Sequence, residues 1–268
     1  MTDMPDFDDI GVEIKELVAT IEIQRPPHNF FDIALIHQIG DALEVLDADP
    51  ACRAAVLCAQ GKAFCAGANF GTGEELGADG QLKTQTPTER AQHLYVEAIR
   101  LFEAKTPIIG AIHGAAIGGG LGLAMVPDFR VTCPEARFSA NFTRLGFHPG
   151  FGLTVTLTEA IGKQDAALMF YTSRRFKGDE AHALGLADVL VAQDKVRDAA
   201  IALAAEIAEN APLGVTETRA TMRRGLAERV RAATDHELAI QTRLRATKDF
   251  KEGVAAMSER RVPDFKGA

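Results

Sequence analysis

One stretch constrains the fold more than any other: PIIGAIHGAAIGGGLGLAM, residues 107–125. A short apolar run of the kind found in buried strands leads into three consecutive glycines, and an apolar helical run follows. A strand that delivers a glycine-rich turn to the start of a helix presents bare backbone N–H groups to an anion. No carboxylate, Ser, Cys or Lys follows closely. We therefore expect this turn to hold an anion with its backbone.

Apolar periodicity predicts alternating strands and helices up to about residue 150, which is the pattern of an α/β fold. The predicted strands are 12–24 (a hairpin), 54–59, 107–113, 128–133, 136–140 and 187–192, and the predicted helices are 32–47, 89–104 and 119–126. Residues 74–88 are polar and show no periodicity. Beyond residue 152 the chain is mostly helical, which favours a separate layer used for assembly.

Composition excludes several classes of protein. The 268 residues are 47% hydrophobic and carry a net charge of −8. We therefore expect one large domain, or one domain with a small appendage, and no nucleic-acid partner, since DNA binders need a basic surface. We also expect no membrane span, because no run of about 18 apolar residues occurs. Four cysteines without zinc-type spacing and an acidic N-terminus without a signal pattern predict reduced thiols in the cytoplasm.

Known glycine and nucleophile motifs do not fit. A dinucleotide-binding turn would need a further glycine where Leu123 or Met125 stands, and the only later Gly-Lys pair is followed by Gln164 rather than Ser or Thr. No serine lies in a G-x-S-x-G elbow, and no two histidines have H-x-x-x-H spacing. The anion is therefore not expected to be a pyrophosphate or to await a serine nucleophile.

A second glycine-rich loop, 61–73, follows another buried strand. One N–H from each of two facing turns makes an oxyanion hole for a carbonyl oxygen that becomes negative during a reaction. The two motifs FCAGAN and HGAAIGGG, about fifty residues apart, resemble those of the crotonase (enoyl-CoA hydratase/isomerase) superfamily. RPPHNFFD, residues 157–191 and residues 248–265 resemble further segments of that family, so the likeness covers nearly the whole chain.

The resemblance implies an α/β crotonase-like spiral of ββα units. It implies a core over residues 1–200, which binds acyl-CoA and carries the oxyanion hole. Residues 201–268 would form a helical C-terminal region for trimerisation and CoA contact, giving a homotrimer or a hexamer. No metal or redox cofactor is implied, because coenzyme A enters as part of the acyl-CoA substrate.

The same resemblance assigns roles to individual residues. It places the oxyanion donors on the backbone N–H groups of Ala68 and Gly119, which would stabilise a thioester enolate. The implied CoA-binding residues are Ala66, Ala68, Phe70 and Arg260. Arg260 stands where the family has a lysine near the adenine phosphate, and the adjacent Arg261 is the alternative.

The chain departs from the family at the acid/base pair. Family members that hydrate enoyl-CoA use two glutamates, and Gly122 and Phe142 occupy those positions here. Each acid/base residue is worth about 10²–10⁴-fold, so hydration by the two-glutamate route is expected to be crippled. The open alternatives are an acyl-CoA hydrolase, a C–C hydrolase, a decarboxylase, or an acyl-CoA-binding protein without catalysis.

His148, in LGFHPGFG, is the candidate for the missing acid/base residue, because an unperturbed imidazole titrates near neutral pH. Alternatively, His148 packs beside Phe147 and Phe151 and has no role in proton transfer. Weaker candidates for a place at the site are His113, Asn69, Asn141, Arg144, Cys65, Glu74 and Glu75. Phe142 and Phe151 are either core residues or walls of the acyl chamber. The predicted function is an acyl-CoA-transforming enzyme with an oxyanion hole and non-standard acid/base residues.

Overall fold

The computed structural model describes residues 4–68 and 94–268. A six-stranded sheet forms its centre, with strand order β1-β2-β3-β5-β7-β10. Strands β1 and β2 form the predicted antiparallel hairpin, and the later neighbours pair in parallel. These strands are β1 Ile10–Lys15, β2 Val18–Ile23, β3 Ala54–Ala59, β5 Ile108–Ile112, β7 Phe129–Thr132 and β10 Val189–Leu190. The central strands β3 and β5 are buried along their whole length, as parallel strands covered on both faces are.

A second, four-stranded sheet has the order β4-β6-β8-β9. Its strands are β4 Ala63–Cys65, β6 Ala115–Ile117, β8 Arg137–Ser139 and β9 Phe176–Lys177. The chain passes from β3 to β4, from β5 to β6 and from β7 to β8, so each of these main-sheet strands feeds a second-sheet strand. Helical chain follows each pair, which confirms the predicted spiral of ββα units.

The helices of the described ranges cover the sheets and build the C-terminal third. They are α1 Ile33–Ala48, α2 Leu94–Glu97, α3 Ile99–Glu103, α4 Gly119–Ala124, α5 Leu153–Thr172, α6 Gly178–Ala183, α7 Val196–Ala208, α8 Pro212–Met222, α9 Leu226–Arg245 and α10 Lys248–Ser258. Helix α7 packs on β3, β5 and β7. Among residues 4–68 and 94–268, no helix is both long and apolar enough to cross a bilayer.

Sequence and structure differ mainly in the second sheet. Residues 61–73 were expected to form a loop, whereas Ala63–Cys65 is strand β4. Strands β6 and β9 were not predicted, because elements of three and two residues are too short to show a hydrophobic period. The polar segment 74–88 and the start of the helix predicted at 89 lie outside the described residues.

The predicted helical C-terminal region is present. The boundary proposed at residue 200 falls inside helix α7, whose buried face packs on the central sheet. The division into a core and an assembly region therefore stays a prediction.

Candidate active site

The two glycine-rich turns meet in the folded chain. The first turn, residues 66–68, follows β4, and the second, residues 117–120, joins β6 to α4. Gly67 has φ +88°, and a Cβ placed on it would lie 2.7 Å from the Ile117 carbonyl oxygen and 3.9 Å from the Gly119 nitrogen. Only glycine allows the two backbones to approach this closely.

Contacts on both sides fix the second turn. The Gly118 N–H donates to the Ser139 carbonyl at 2.8 Å. A Cβ on Gly119 would lie 2.1 Å from Cζ of Phe31, and one on Gly120 would lie 2.0 Å from the Cys65 carbonyl oxygen. The start of α4 is therefore pressed directly onto the strand that leads into the first turn.

Two backbone N–H groups where the turns meet have no backbone hydrogen-bond acceptor among the described residues. Neither the Ala68 N–H nor the Gly119 N–H donates to a backbone carbonyl of the described residues. Gly119 is the first residue of α4, where no intrahelical acceptor exists for its N–H. Two such donors on touching turns can share one oxygen that carries negative charge.

Both donors line a cavity of about 550 Å³. Its other lining residues include Phe30, Phe31, Ala66, Phe142, Phe147 and, from the last turns of α10, Val254, Ala255, Met257 and Ser258. Asn141 and Arg175 supply polar side chains to the wall. Among the described residues that line the cavity there is no carboxylate and no imidazole.

The position predicted for the first glutamate, Gly122, has no room for a side chain. A Cβ on Gly122 would lie 2.5 Å from both Cβ and Cγ of Phe151, so no side chain fits there. Phe151 is 1% exposed and packs edge-on against Phe31, Tyr95 and Phe102, with ring centroids 5.9 to 6.4 Å apart. Its φ of +65° is unusual for a bulky residue.

The position predicted for the second glutamate is occupied by an aromatic residue, Phe142. Phe142 is 3% exposed, lines the cavity and meets Phe147 edge-on at 5.5 Å between ring centroids. It is therefore both a core residue and part of the cavity wall. Phe151 does not line the cavity, so of the two aromatic candidates only Phe142 could contact an acyl group directly.

His148 lies apart from this cavity and is not among its lining residues. Its Nδ1 is 2.8 Å from the Pro149 carbonyl oxygen, and its ring faces His236 with centroids 6.4 Å apart. Its own carbonyl accepts a hydrogen bond from Gln241 Nε2 at 2.8 Å. Its acid/base role stays a prediction, and the described structure brings it to neither oxyanion donor.

The weaker candidates for a place at the site differ in their surroundings and in whether they line the cavity. Burial raises the pKa of the Cys65 thiol to about 12, so Cys65 is held as a neutral thiol, which is a poor nucleophile. His113 Nε2 lies 3.1 Å from the Gly61 carbonyl oxygen and braces the first loop. Arg144 is exposed and lines no part of the cavity, whereas Asn141 does. Asn69, Glu74 and Glu75 lie outside the described residues.

The residues predicted to contact CoA differ in whether their polar groups already have partners within the protein. The Ala66 N–H already donates to the His28 carbonyl at 3.0 Å, so only its carbonyl is available to a ligand. Arg261 pairs with Glu252 and Glu259, while Arg260 is exposed and forms no ion pair with a described residue. Phe70 lies outside the described residues.

Sequence reasoning missed two parts of the cavity. Val254, Ala255, Met257 and Ser258 of α10 line the cavity, whereas the C-terminal region was expected to serve trimerisation and CoA contact. Arg175, just before β9, adds a guanidinium. The pair of adjacent arginines at 174 and 175 was visible, but nothing in the local pattern indicated that Arg175 reaches the cavity.

The described residues form an α/β protein in which two glycine-rich turns meet at the wall of a cavity. Residues 13–268 match the family described as Enoyl-CoA hydratase/isomerase. The chain is 30% identical to a crotonyl-CoA hydratase of Syntrophomonas wolfei, over 97% of this chain and 98% of that protein. These matches show that the chain belongs to the enoyl-CoA hydratase/isomerase family.

Solved structures agree with this assignment. An enoyl-CoA hydratase/isomerase from Pseudoalteromonas atlantica superposes with a TM-score of 0.84 at 28% identity, covering 97% of this chain and all of that one. A carnitinyl-CoA hydratase from Mycobacterium avium has the same TM-score and identity and covers 97% of this chain and 99% of that one. Both comparisons span the core and the helical C-terminal third.

Proposed function

We propose that the protein is an acyl-CoA enzyme that binds the thioester oxygen between the N–H groups of Ala68 and Gly119 and stabilises an enolate there. The observation that carries this proposal is the contact of the two glycine turns at the wall of the cavity. Removal of one such donor typically raises the activation free energy by about 3–4 kcal/mol. Family membership supports a CoA thioester as the bound molecule.

The proposed reaction is not two-glutamate hydration. Water addition needs one group to activate water and another to protonate the enolate carbon. The ring of Phe151 occupies the first position and Phe142 the second. Decarboxylation to an enolate needs no group that activates water, whereas thioester or C–C hydrolysis needs a base other than these two glutamates. These reactions and binding without turnover are the alternatives.

The remaining proposals concern ligand contacts and assembly. Arg260, rather than the paired Arg261, would contact a CoA phosphate, alongside the Ala66 and Ala68 backbone and Phe70. Helix α8 leaves Leu213 and Met222 about four-fifths exposed, at 78% and 82%, which favours a subunit contact in a homotrimer or hexamer. The four buried, unpaired cysteines support a reducing compartment such as the cytoplasm.

The first test is an acyl-CoA panel analysed by mass spectrometry, with enoyl-CoAs, malonyl-type CoAs and β-ketoacyl-CoAs. Gain of water, release of free CoA and loss of carbon dioxide identify hydration, thioester hydrolysis and decarboxylation. We expect simple 2-enoyl-CoAs to gain water slowly or not at all. Fast hydration of those esters would contradict the proposal.

A second measurement tests the oxyanion hole whatever the reaction. The infrared carbonyl stretch of a ¹³C-labelled acyl-CoA is expected to fall on binding, because two N–H groups polarise the bond. A thioether analogue, which lacks the carbonyl oxygen, serves as the matched ligand and should bind more weakly. An unshifted carbonyl in a tightly bound ester would exclude this use of Ala68 and Gly119.

A further inference from the structure

One charged side chain stands in the lining of the active-site cavity. Arg175 is that residue among the described residues, and no Asp or Glu accompanies it there. It is exposed, and within the described ranges it forms no hydrogen bond or ion pair. Its neighbour Arg174 is equally exposed but does not line the cavity.

The second sheet fixes how far Arg175 lies from the oxyanion donors. Arg175 directly precedes β9, and the order β6-β8-β9 places it two strands away from the turn that follows β6. Two inter-strand spacings amount to roughly 10 Å. Ser139 of β8 ties both sides together: its carbonyl accepts from Gly118 N–H at 2.8 Å and its hydroxyl donates to the Ser173 carbonyl at 3.2 Å.

Arg175 shares the cavity lining with Phe142, Phe147 and four residues near the end of α10, which are Val254, Ala255, Met257 and Ser258. Under the proposed function the thioester carbonyl lies at Ala68 and Gly119, and Arg175 stands two strand spacings from the turn that carries Gly119, a distance that a short acyl chain and the arginine side chain can bridge. A largely apolar cavity whose wall also carries an unpaired guanidinium matches an acyl chain with an anionic far end.

We propose that Arg175 selects acyl-CoA esters whose acyl chain ends in a carboxylate, that is, short dicarboxylic acyl-CoAs. This inference rests on the proposed function, because it requires the acyl-CoA to lie in this cavity. A guanidinium binds carboxylate with two parallel N–H donors, and it is solvated before the ligand arrives, so little desolvation opposes binding. A CoA phosphate offers the same anionic chemistry, and the experiment separates the two sources.

The test measures dissociation constants by calorimetry for matched pairs of ligands on the full chain. Glutaryl-CoA is compared with pentanoyl-CoA, adipyl-CoA with hexanoyl-CoA, and free CoA is the reference. Three proteins are used: the unmodified chain, Arg175→Met, and Arg174→Met as the matched control. We expect the unmodified chain to bind the dicarboxylic esters about 10-fold more tightly, as a charged hydrogen bond at an exposed site allows.

The outcomes are distinct. Loss of that preference in Arg175→Met and its retention in Arg174→Met support the inference. Equal affinities for both members of each pair in the unmodified chain overturn it. Equal weakening of dicarboxylic esters, neutral esters and free CoA in Arg175→Met also overturns it, since the guanidinium then contacts a CoA phosphate. If the unmodified chain binds none of the esters, the proposed function itself fails and the inference falls with it.

Discussion

The two halves of the candidate site differ in what holds them. Around the oxyanion donors, the glycine turns touch backbone to backbone, with Gly120 against the Cys65 carbonyl and Gly67 against the Ile117 carbonyl. Around the positions of the family's glutamates, aromatic rings fill the space, with Phe151 against Gly122 and Phe142 against Phe147.

Under the proposed function, this difference makes binding of the thioester oxygen and acid/base chemistry separable in this fold. Backbone donors depend on glycines that cannot be exchanged without moving two chain segments. Acid/base groups depend on side chains, which can be replaced when neighbouring residues change with them. In the aromatic half two such positions are complementary, since Gly122 lacks a side chain where Phe151 carries a large one.

The largest effect is expected from Gly120→Ala, which tests the backbone half. Its Cβ would lie 2.0 Å from the Cys65 carbonyl oxygen, and no side-chain rotation relieves a contact with backbone. Helix α4 must then shift and carry the Gly119 N–H away from the oxyanion position. We expect a loss of about 10³-fold in kcat/KM on whichever acyl-CoA the panel identifies, together with a lower Tm.

Gly214→Ala is the matched control for that variant. Gly214 lies on the exposed face of α8, and a Cβ there meets only the Ala211 Cβ at 3.9 Å. It should keep full activity and gain up to about 1 kcal/mol of stability, because alanine is the better helix former. Unchanged activity in Gly120→Ala would show that the touching turns are not part of the active site.

A double-mutant cycle at Gly122 and Phe151 tests the aromatic half. Phe151→Ala should cost about 3 kcal/mol of unfolding free energy through lost packing, and Gly122→Ala about 1–3 kcal/mol through overpacking. The double variant should be less destabilised than the sum, by up to about 1 kcal/mol, because Phe151→Ala removes Cγ and Cδ1 from the space of the new Cβ while the Cβ of residue 151 stays 2.5 Å away. Urea unfolding measures all four proteins, and strict additivity would show that the two residues do not compete for one space.

Glu237 supports the turn that carries Phe151, and its removal should have a smaller effect. Its carboxylate is buried and accepts hydrogen bonds from Gly152 N at 2.8 Å, Thr154 N at 3.1 Å and Thr154 Oγ1 at 2.5 Å. Glu237→Ala leaves these donors without an acceptor, which should cost about 2 kcal/mol in urea unfolding. The exposed Glu206→Ala on α7 is the control, and equal stability of both variants would contradict this role.

The sequence allowed the main sheet and the meeting of the two glycine-rich turns to be predicted, while the roles of Ala68 and Gly119 stay predictions. Runs such as AAVLCA show buried strands directly, and consecutive glycines after a strand indicate exposed N–H groups. The second sheet was missed because Ala115–Ile117 and Phe176–Lys177 are too short to show a period. The contact of Gly122 with Phe151 could not be predicted either, because it joins positions 29 residues apart through tertiary packing.

His148→Ala should have the smallest effect and decides whether the sequence prediction for this residue holds. The described structure places His148 outside the cavity lining, with Nδ1 at the Pro149 carbonyl and the ring beside His236. We therefore expect kcat/KM to change by less than about 3-fold, whereas an essential acid/base residue would cost about 10²–10⁴-fold. His236→Ala serves as the matched control, because it removes the ring that faces His148 but no predicted catalytic group. A loss of 10²-fold or more in His148→Ala alone, with a changed pH profile and unchanged Tm, would restore the imidazole as the proton carrier and place chemistry in the half of the site that aromatic packing fills.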